Sequence, residues 1–325
     1  MFYNFLNRIL IGFFTMFVIS FALYVFIVAP GHNNLKINEL DRLSQQLQQN
    51  DNINYYSGVK NYVFKSYYRW IKGSYKAIKN HSLLSERAMN TFILLSLTMF
   101  FTLVISFLVG FYSAIYKDSF LDRGLMFFGT LGIAFPSFLL ALLLLWVTIQ
   151  WFDVTAGGFF STEYLEKEWT LGRLLDFIKH ISIPVFVLSI PQISVFARIL
   201  RNNMIDEINS PYVLVALSKG LSKHYVLIKY PLRLALLPFV SILGYIIPTL
   251  VSQSMIVEVI LNLPTLGPVI LESILKRDGL GYAPVILLFL GFLTVVGSTV
   301  SDLLLLFLDK RIKYCLLYTS DAADE

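Results

Sequence analysis

Charge is scarce in this sequence. Only 14% of its 325 residues are Asp, Glu, Lys or Arg, against about a quarter in an ordinary soluble domain. With 56% hydrophobic residues and a mean hydropathy of +0.67, the chain cannot cover a water-facing surface with charge. An integral membrane protein is the class that remains. Cysteine is nearly absent: the single Cys315 excludes a disulfide within the chain and a cysteine-rich zinc site. His32, His81, His180 and His224 lie far apart without ligand spacing, so no metal centre is expected. A Gly-x-x-x-x-Gly-Lys-Ser/Thr phosphate loop is missing, so the chain is not expected to bind or hydrolyse ATP itself. No Ser-His-Asp pattern points to hydrolysis, and the apolar bulk argues against a nucleic-acid partner despite the net charge of +5.

What the chain has is long apolar runs. A spanning helix needs about 20 such residues, and six stretches qualify, at about 9–29, 90–116, 125–152, 181–200, 234–257 and 283–308. The first lacks a small-residue cleavage site, which fits a signal anchor better than a removed signal peptide. The fourth contains Pro184 and Pro191 and is expected to be interrupted there; the fifth contains Pro238 and Pro248. Prolines in spans are tolerated where neighbouring helices satisfy the freed carbonyls, which suggests a packed bundle around a pathway. The expected architecture is all-α and polytopic. Residues 1–29 hold the first span, 30–89 an extracytoplasmic insertion and 90–314 a core of five spans.

Orientation follows the positive-inside rule. Arg8, Lys117, Arg123, Arg198, Arg201, Lys219, Lys223, Lys229, Arg233, Lys310, Arg311 and Lys313 fall on one side, with few basic residues in the opposite short loops. Both termini are therefore expected in the cytoplasm. The insertion after the first span is also basic, but it is long enough for the rule to lose force. Within it, Lys65, Arg69, Lys72, Lys76 and Lys79 form one helical stripe beside Phe64, Tyr68, Ile71, Tyr75 and Ile78. Such a helix either lies in the membrane interface or packs on the extracytoplasmic cap. Residues 315–325, CLLYTSDAADE, shift to small and acidic composition, resemble translated adapter read-through, and are expected to be non-native.

Between the fourth and fifth runs lies SPYVLVALSKGLSKHY, residues 210–225. Ser210 is placed to cap a helix, and Pro211 sits where its missing N–H costs nothing. Gly220 suits the left-handed conformation that stops a helix, Leu221 follows where an apolar contact is wanted, and Ser222 is placed to cap the next helix. The pattern predicts a short cytoplasmic helix with Tyr212, Val213, Ala216 and Leu217 on its apolar face. A helix so short does not hold itself together in water and needs a surface to dock on.

The segment YVLVALSKGLSKHYVLIKYPLRLALLP resembles the cytoplasmic EAA loop of ABC-importer permeases of the oligopeptide, dipeptide and nickel type. Tyr212, Val213, Ala216, Lys219, Gly220, Leu221 and Ser222 match, as do Leu232, Arg233, Ala235, Leu236 and Pro238. Departures are Leu214 and Val215, where the general motif has Glu and Ala, Tyr230 in place of a frequent His, and Leu234 in place of a frequent Asn. The resemblance extends through Asn90-Thr91, Leu121-Asp122-Arg123, Pro136-Ser137-Phe138, Glu258 with Pro264 and Gly267, Arg277-Asp278, Pro284 and Asp302. Thr265 replaces a usual Gly, and Lys310 a usual Pro.

That resemblance implies a permease in a bacterial plasma (inner) membrane, paired with a related second permease as a heterodimer. It also implies two ATPase subunits that bind ATP and Mg, an extracytoplasmic solute-binding protein, and peptide as cargo. The coupling loop then covers 198–235, with Tyr212, Val213, Ala216, Lys219, Gly220, Leu221 and Ser222 contacting the ATPase. A stand-alone ion-coupled carrier or channel is the rival, but it should show inverted repeats and paired intramembrane acids, and neither is visible. Ser137, Gln253 and Glu258 are pathway or gate candidates. Each also has a structural reading: a serine at a proline kink, interhelical hydrogen bonding for Gln253 and Gln192, and a helix-end carboxylate. Asp302 is expected to pair with an arginine.

Overall fold

The computed structural model describes residues 2–23, 82–152, 157–165, 167–275 and 283–308, with a few positions between 65 and 72. Every regular element among them is helical. The α-helices in chain order are α1 (Phe2–Leu23), α2 (Ser82–Ile115), α3 (Phe120–Ala134), α4 (Ser137–Phe152), α5 (Leu171–Ile208), α6 (Pro211–Ser218), α7 (Lys223–Lys229), α8 (Pro231–Ser241), α9 (Leu243–Ile260), α10 (Leu266–Leu275) and α11 (Ala283–Leu308), with a 3-10 turn, Thr162–Tyr164, between α4 and α5.

Four helices, α2, α5, α9 and α11, are long and apolar enough to cross a membrane, and the bent pair α3–α4 makes a fifth if counted as one span. The apolar part of α1, Leu10–Ala22, is shorter. The chain is thus a multi-pass helical membrane protein with four to five candidate spans among the described residues; residues 24–29 of the expected first span lie outside them.

The expected third span is not one rod. Its two halves are bent by 101°, because proline disfavours helical geometry in the residue before it. Phe135, just ahead of Pro136, accordingly takes φ −87°, ψ 122° and ends α3. The fourth run errs in the other direction. Pro184 and Pro191 do not interrupt it, and α5 continues through both for 38 residues. The fifth divides into α8 and α9 at Ile242, at neither Pro238 nor Pro248. At 1.5 Å per residue α5 is about 57 Å long, well beyond the roughly 30 Å hydrocarbon core, so its ends project from the bilayer.

α5 is the hub, packing on α2, α3, α4, α8 and α9, while α11 packs on α1, α8, α9 and α10. Leu94, Val187, Leu188, Leu200, Met204 and Ile246 form the sealed centre. A Cβ on Gly110 would lie 2.7 Å from the Ala197 carbonyl oxygen, so α2 and α5 meet there backbone to backbone, as small residues permit in membrane bundles. Outward positions such as Phe100, Phe128, Trp146 and Phe292 are exposed and apolar, a surface suited to lipid. In the insertion, Tyr67 is buried against Phe17 and Phe21 of α1, with ring centroids 6.0 and 5.5 Å apart. Tyr68 and Ile71 of the expected apolar stripe are exposed instead. The rest of that stripe, Arg277-Asp278, Lys310 and residues 315–325 lie outside the described residues.

Candidate functional site

Two ends of the bundle carry the polar and terminating residues singled out in the sequence. The first is built where α5 ends. α6 starts with Pro211 at its first position and has eight residues. Ser210 does not cap it; its hydroxyl donates back to the Asp206 carbonyl at 3.3 Å. The link from α5 is so short that this hydroxyl reaches the carbonyls left open at the end of α5 before any amide of α6. Ser222 likewise makes no side-chain capping bond, and only its carbonyl accepts from Val226 N–H, at 3.0 Å. The stop is as expected: Gly220 has φ +78°, a left-handed conformation that favours glycine, and its N–H donates to the Leu217 carbonyl at 2.9 Å.

The face of α6 is divided differently from the sequence pattern. Val213, 3% exposed, and Ala216 pack on Val226 of α7, with Tyr212, Leu221 and Tyr230 around them. These residues bind α6 to its own base. The outward positions are Leu214, 63% exposed, and Val215, 55% exposed, with Leu217 and Lys219 at the edge. Tyr225 and Ile228 on α7 are also exposed. An exposed apolar ridge on a short helix beyond the end of α5 is a candidate interaction surface.

Just inside this ridge lies an ion pair that the sequence pattern did not reveal. Asp122, near the start of α3 and 2% exposed, accepts two hydrogen bonds of 2.7 Å from Nε and Nη2 of Arg201 on α5. Its oxygens also accept from the Ser113 hydroxyl of α2 and from the Asp118 amide, the latter at 2.9 Å. Asp118 has φ +63°, which turns its N–H onto the carboxylate. Ser119 caps α3 by accepting from Asp122 N–H at 3.1 Å. One buried carboxylate thereby joins three helices with a bidentate arginine, the geometry in which charge-assisted bonds are strongest.

At the opposite end, Glu258 is 1% exposed. Its Oε2 accepts from Gly267 N–H at 2.8 Å, satisfying an amide at the start of α10. Thr91 accepts from Leu266 N–H at 3.0 Å, and Asn90 donates to the Pro264 carbonyl at 2.8 Å. The loop between α9 and α10 is thus fastened to the start of α2. Alongside it, Gly158 N–H donates to the Leu261 carbonyl at 3.1 Å. The Ser161 amide and hydroxyl donate to Asp176 at 2.7 and 2.6 Å. Phe159, Phe160, Trp169 and Phe177 pack there mostly edge to face, with the Arg173 guanidinium over the Phe160 ring.

Ser137, Gln253 and Glu258 do not converge. Ser137 is half-buried at the start of α4, just past the bend. Gln253 accepts from Gln192 Nε2 at 3.4 Å across α9 and α5. Glu258 serves the α10 cap.

With this geometry in place, the comparisons agree. The model of the family described as binding-protein-dependent transport system inner membrane component matches residues 106–314. The oligopeptide transport system permease protein AppB of Bacillus subtilis is 33% identical over 238 residues, covering 71% of this chain and 72% of that protein. The dipeptide transport system permease protein DppB of the same organism is 32% identical over 223 residues, covering 67% and 66%. A protein of Brucella suis described as a peptide permease is 27% identical over 334 residues, covering 95% and 98%. The chain belongs to the binding-protein-dependent transport-system permease family. It is a permease subunit of an ABC importer, a class that works with separate ATPase and binding-protein partners, and it is not itself an enzyme.

Proposed function

We infer that this chain forms one half of a peptide translocation pathway in a bacterial plasma membrane, with both termini in the cytoplasm. A related permease supplies the other half, and α6 is the helix that couples them to ATP. Peptide cargo is supported by the names of the relatives, which are oligopeptide, dipeptide and peptide permeases. The observation that carries the coupling role is α6 itself. It is stopped by Gly220, glued on one face to α7, and left with Leu214 and Val215 facing water.

Two ATPase subunits, which hold ATP and Mg, close on nucleotide and carry bound α6 helices with them. Each α6 is short and fixed at both ends, so it moves as a unit rather than bending. The end fastened by Glu258, Asn90 and Asp176 faces the extracytoplasmic binding protein. Within the seven-residue set from Tyr212 to Ser222, Val213 and Ala216 hold the helix in place, and Lys219 edges the surface the ATPase meets.

Replacing Leu214 and Val215 by Glu tests this. Two carboxylates cannot be desolvated in an apolar groove without partners, so the ATPase subunit should no longer copurify with the membrane-inserted permease. Retention of the ATPase at the unsubstituted level would refute the coupling role of α6.

A further inference from the structure

On the coupling-helix reading, we propose that Tyr212–Glu207 and Arg201–Asp122 form a polar linkage that makes α3 follow α6 during the transport cycle. The outer link joins α6 to α5: the Tyr212 hydroxyl donates to Glu207 Oε2 at 2.5 Å. Burial and the neighbouring carboxylate both push the Tyr212 phenol above its ordinary pKa, so it stays a donor at any physiological pH. The inner link joins α5 to α3 and α2 through the bidentate Arg201–Asp122 pair and the Ser113 hydroxyl. Between the links runs the last part of α5, from Arg201 to Glu207, a continuous helix.

Stability alone does not account for such a pair. A buried ion pair loses in desolvation much of what it gains by attraction, and an apolar substitute of similar shape often serves as well. What a bidentate pair adds is a fixed angle between its two helices. α3 has a second, exposed polar contact with α5, the Arg198 guanidinium donating to the Thr130 hydroxyl at 3.0 Å, and it packs closely on α5 at Gly132, where a Cβ would lie 2.6 Å from Ile190 and 2.8 Å from the Ser194 hydroxyl. That contact sits near the bend at Pro136 and can act as the pivot. Arg201 and Asp122 are then the arm through which α5 turns α3. They are positioning residues, touching neither ATPase nor cargo.

The test uses the full importer with its ATPase subunits in lipid nanodiscs, with Cys315 replaced by Ser and pairs of spin labels introduced. A label at Lys219 paired with one at Val300 reports α6, and a label at Phe127 paired with Val300 reports α3; all three positions are exposed. In the unsubstituted importer, ATP with vanadate should change both distances. In Arg201→Lys, which keeps the charge but loses the fork, and in Asp122→Asn, the α6 change should persist while the α3 change falls at least twofold. Tyr212→Phe, which removes one hydroxyl at a partly exposed site and spares the buried pair, should shrink the α3 change in the same direction if the other two variants fail to fold. A full α3 response in these variants would overturn the linkage. Absence of any α6 response in the unsubstituted importer would overturn the coupling-helix reading itself, a distinguishable outcome.

Discussion

At one end of the bundle, Glu258, Asn90, Thr91 and Asp176 turn inward and close loops onto helix ends, with the aromatic residues packed edge to face beside them and Glu258 Oε1 left buried without a hydrogen bond. At the other, both carboxylate oxygens of Asp122 are hydrogen-bonded to Arg201, yet the element just beyond them leaves Leu214 and Val215 exposed. Both ends are ordered by hydrogen bonds donated to buried carboxylates. Both also expose apolar side chains, Leu165, Trp169 and Leu171 at the first and Leu214 and Val215 at the second, where they sit on a helix of only eight residues. The lesson is that order and completeness are separate: an end can be rigid and still require a partner.

Substitutions can break that contrast. The largest effect is expected from Leu214→Glu with Val215→Glu, which should lower uptake at least about tenfold, since central apolar anchors carry on the order of 2 kcal/mol or more. Uptake measured in vesicles checks this, and the melting temperature of the permease should not move. Gly267→Ala attacks the sealed end. Its Cβ would lie 2.6 Å from Glu258 Oε2 and 2.9 Å from the Met255 carbonyl oxygen, and overpacking of this kind costs about 1–3 kcal/mol. A lowered melting temperature with normal ATPase capture is the expected result.

Gly220→Leu should cost about 1–2 kcal/mol through backbone strain alone, because nothing lies within 4 Å of the added Cβ. It should reduce transport while leaving insertion intact. Gly220→Asn, tolerated at positive φ, should cost less, so the ratio of the two transport rates separates strain from crowding. Asn90→Ala removes one hydrogen bond at the sealed end and should cost only about 1 kcal/mol, read as a small shift in melting temperature with no change in transport coupling.

How much of this could be read from residue order depends on how local each signal is. The apolar runs locate α2, α5, α9 and α11, because twenty apolar residues have few other uses. Pro211 and Gly220 bracket α6 because their constraints act within one turn. The apolar face of α6 is legible in Val213 and Ala216, but its cover is not: Val226 on the next helix packs on them, and pattern within one short helix does not say which neighbour covers it. Leu214 and Val215 stood out only as departures from a motif; their exposure gives the departure a physical meaning. The bend at Pro136 had a local cause, the residue before proline, but its size of 101° depends on packing around α5. Asp122 and Arg201 are 79 residues apart, and each looked like an ordinary charge at the edge of a span. A carboxylate beginning one apolar run and an arginine ending another were the available signal, and pairing them required the fold.

The most direct measurement is site-specific cross-linking on this ridge in a Cys315→Ser background. Leu214→Cys should form a cross-link to the ATPase subunit in membranes, and Val213→Cys, facing α7, should not. Cross-linking from Val213→Cys alone, or from neither position, would contradict the claim that α6 meets the ATPase with its exposed face.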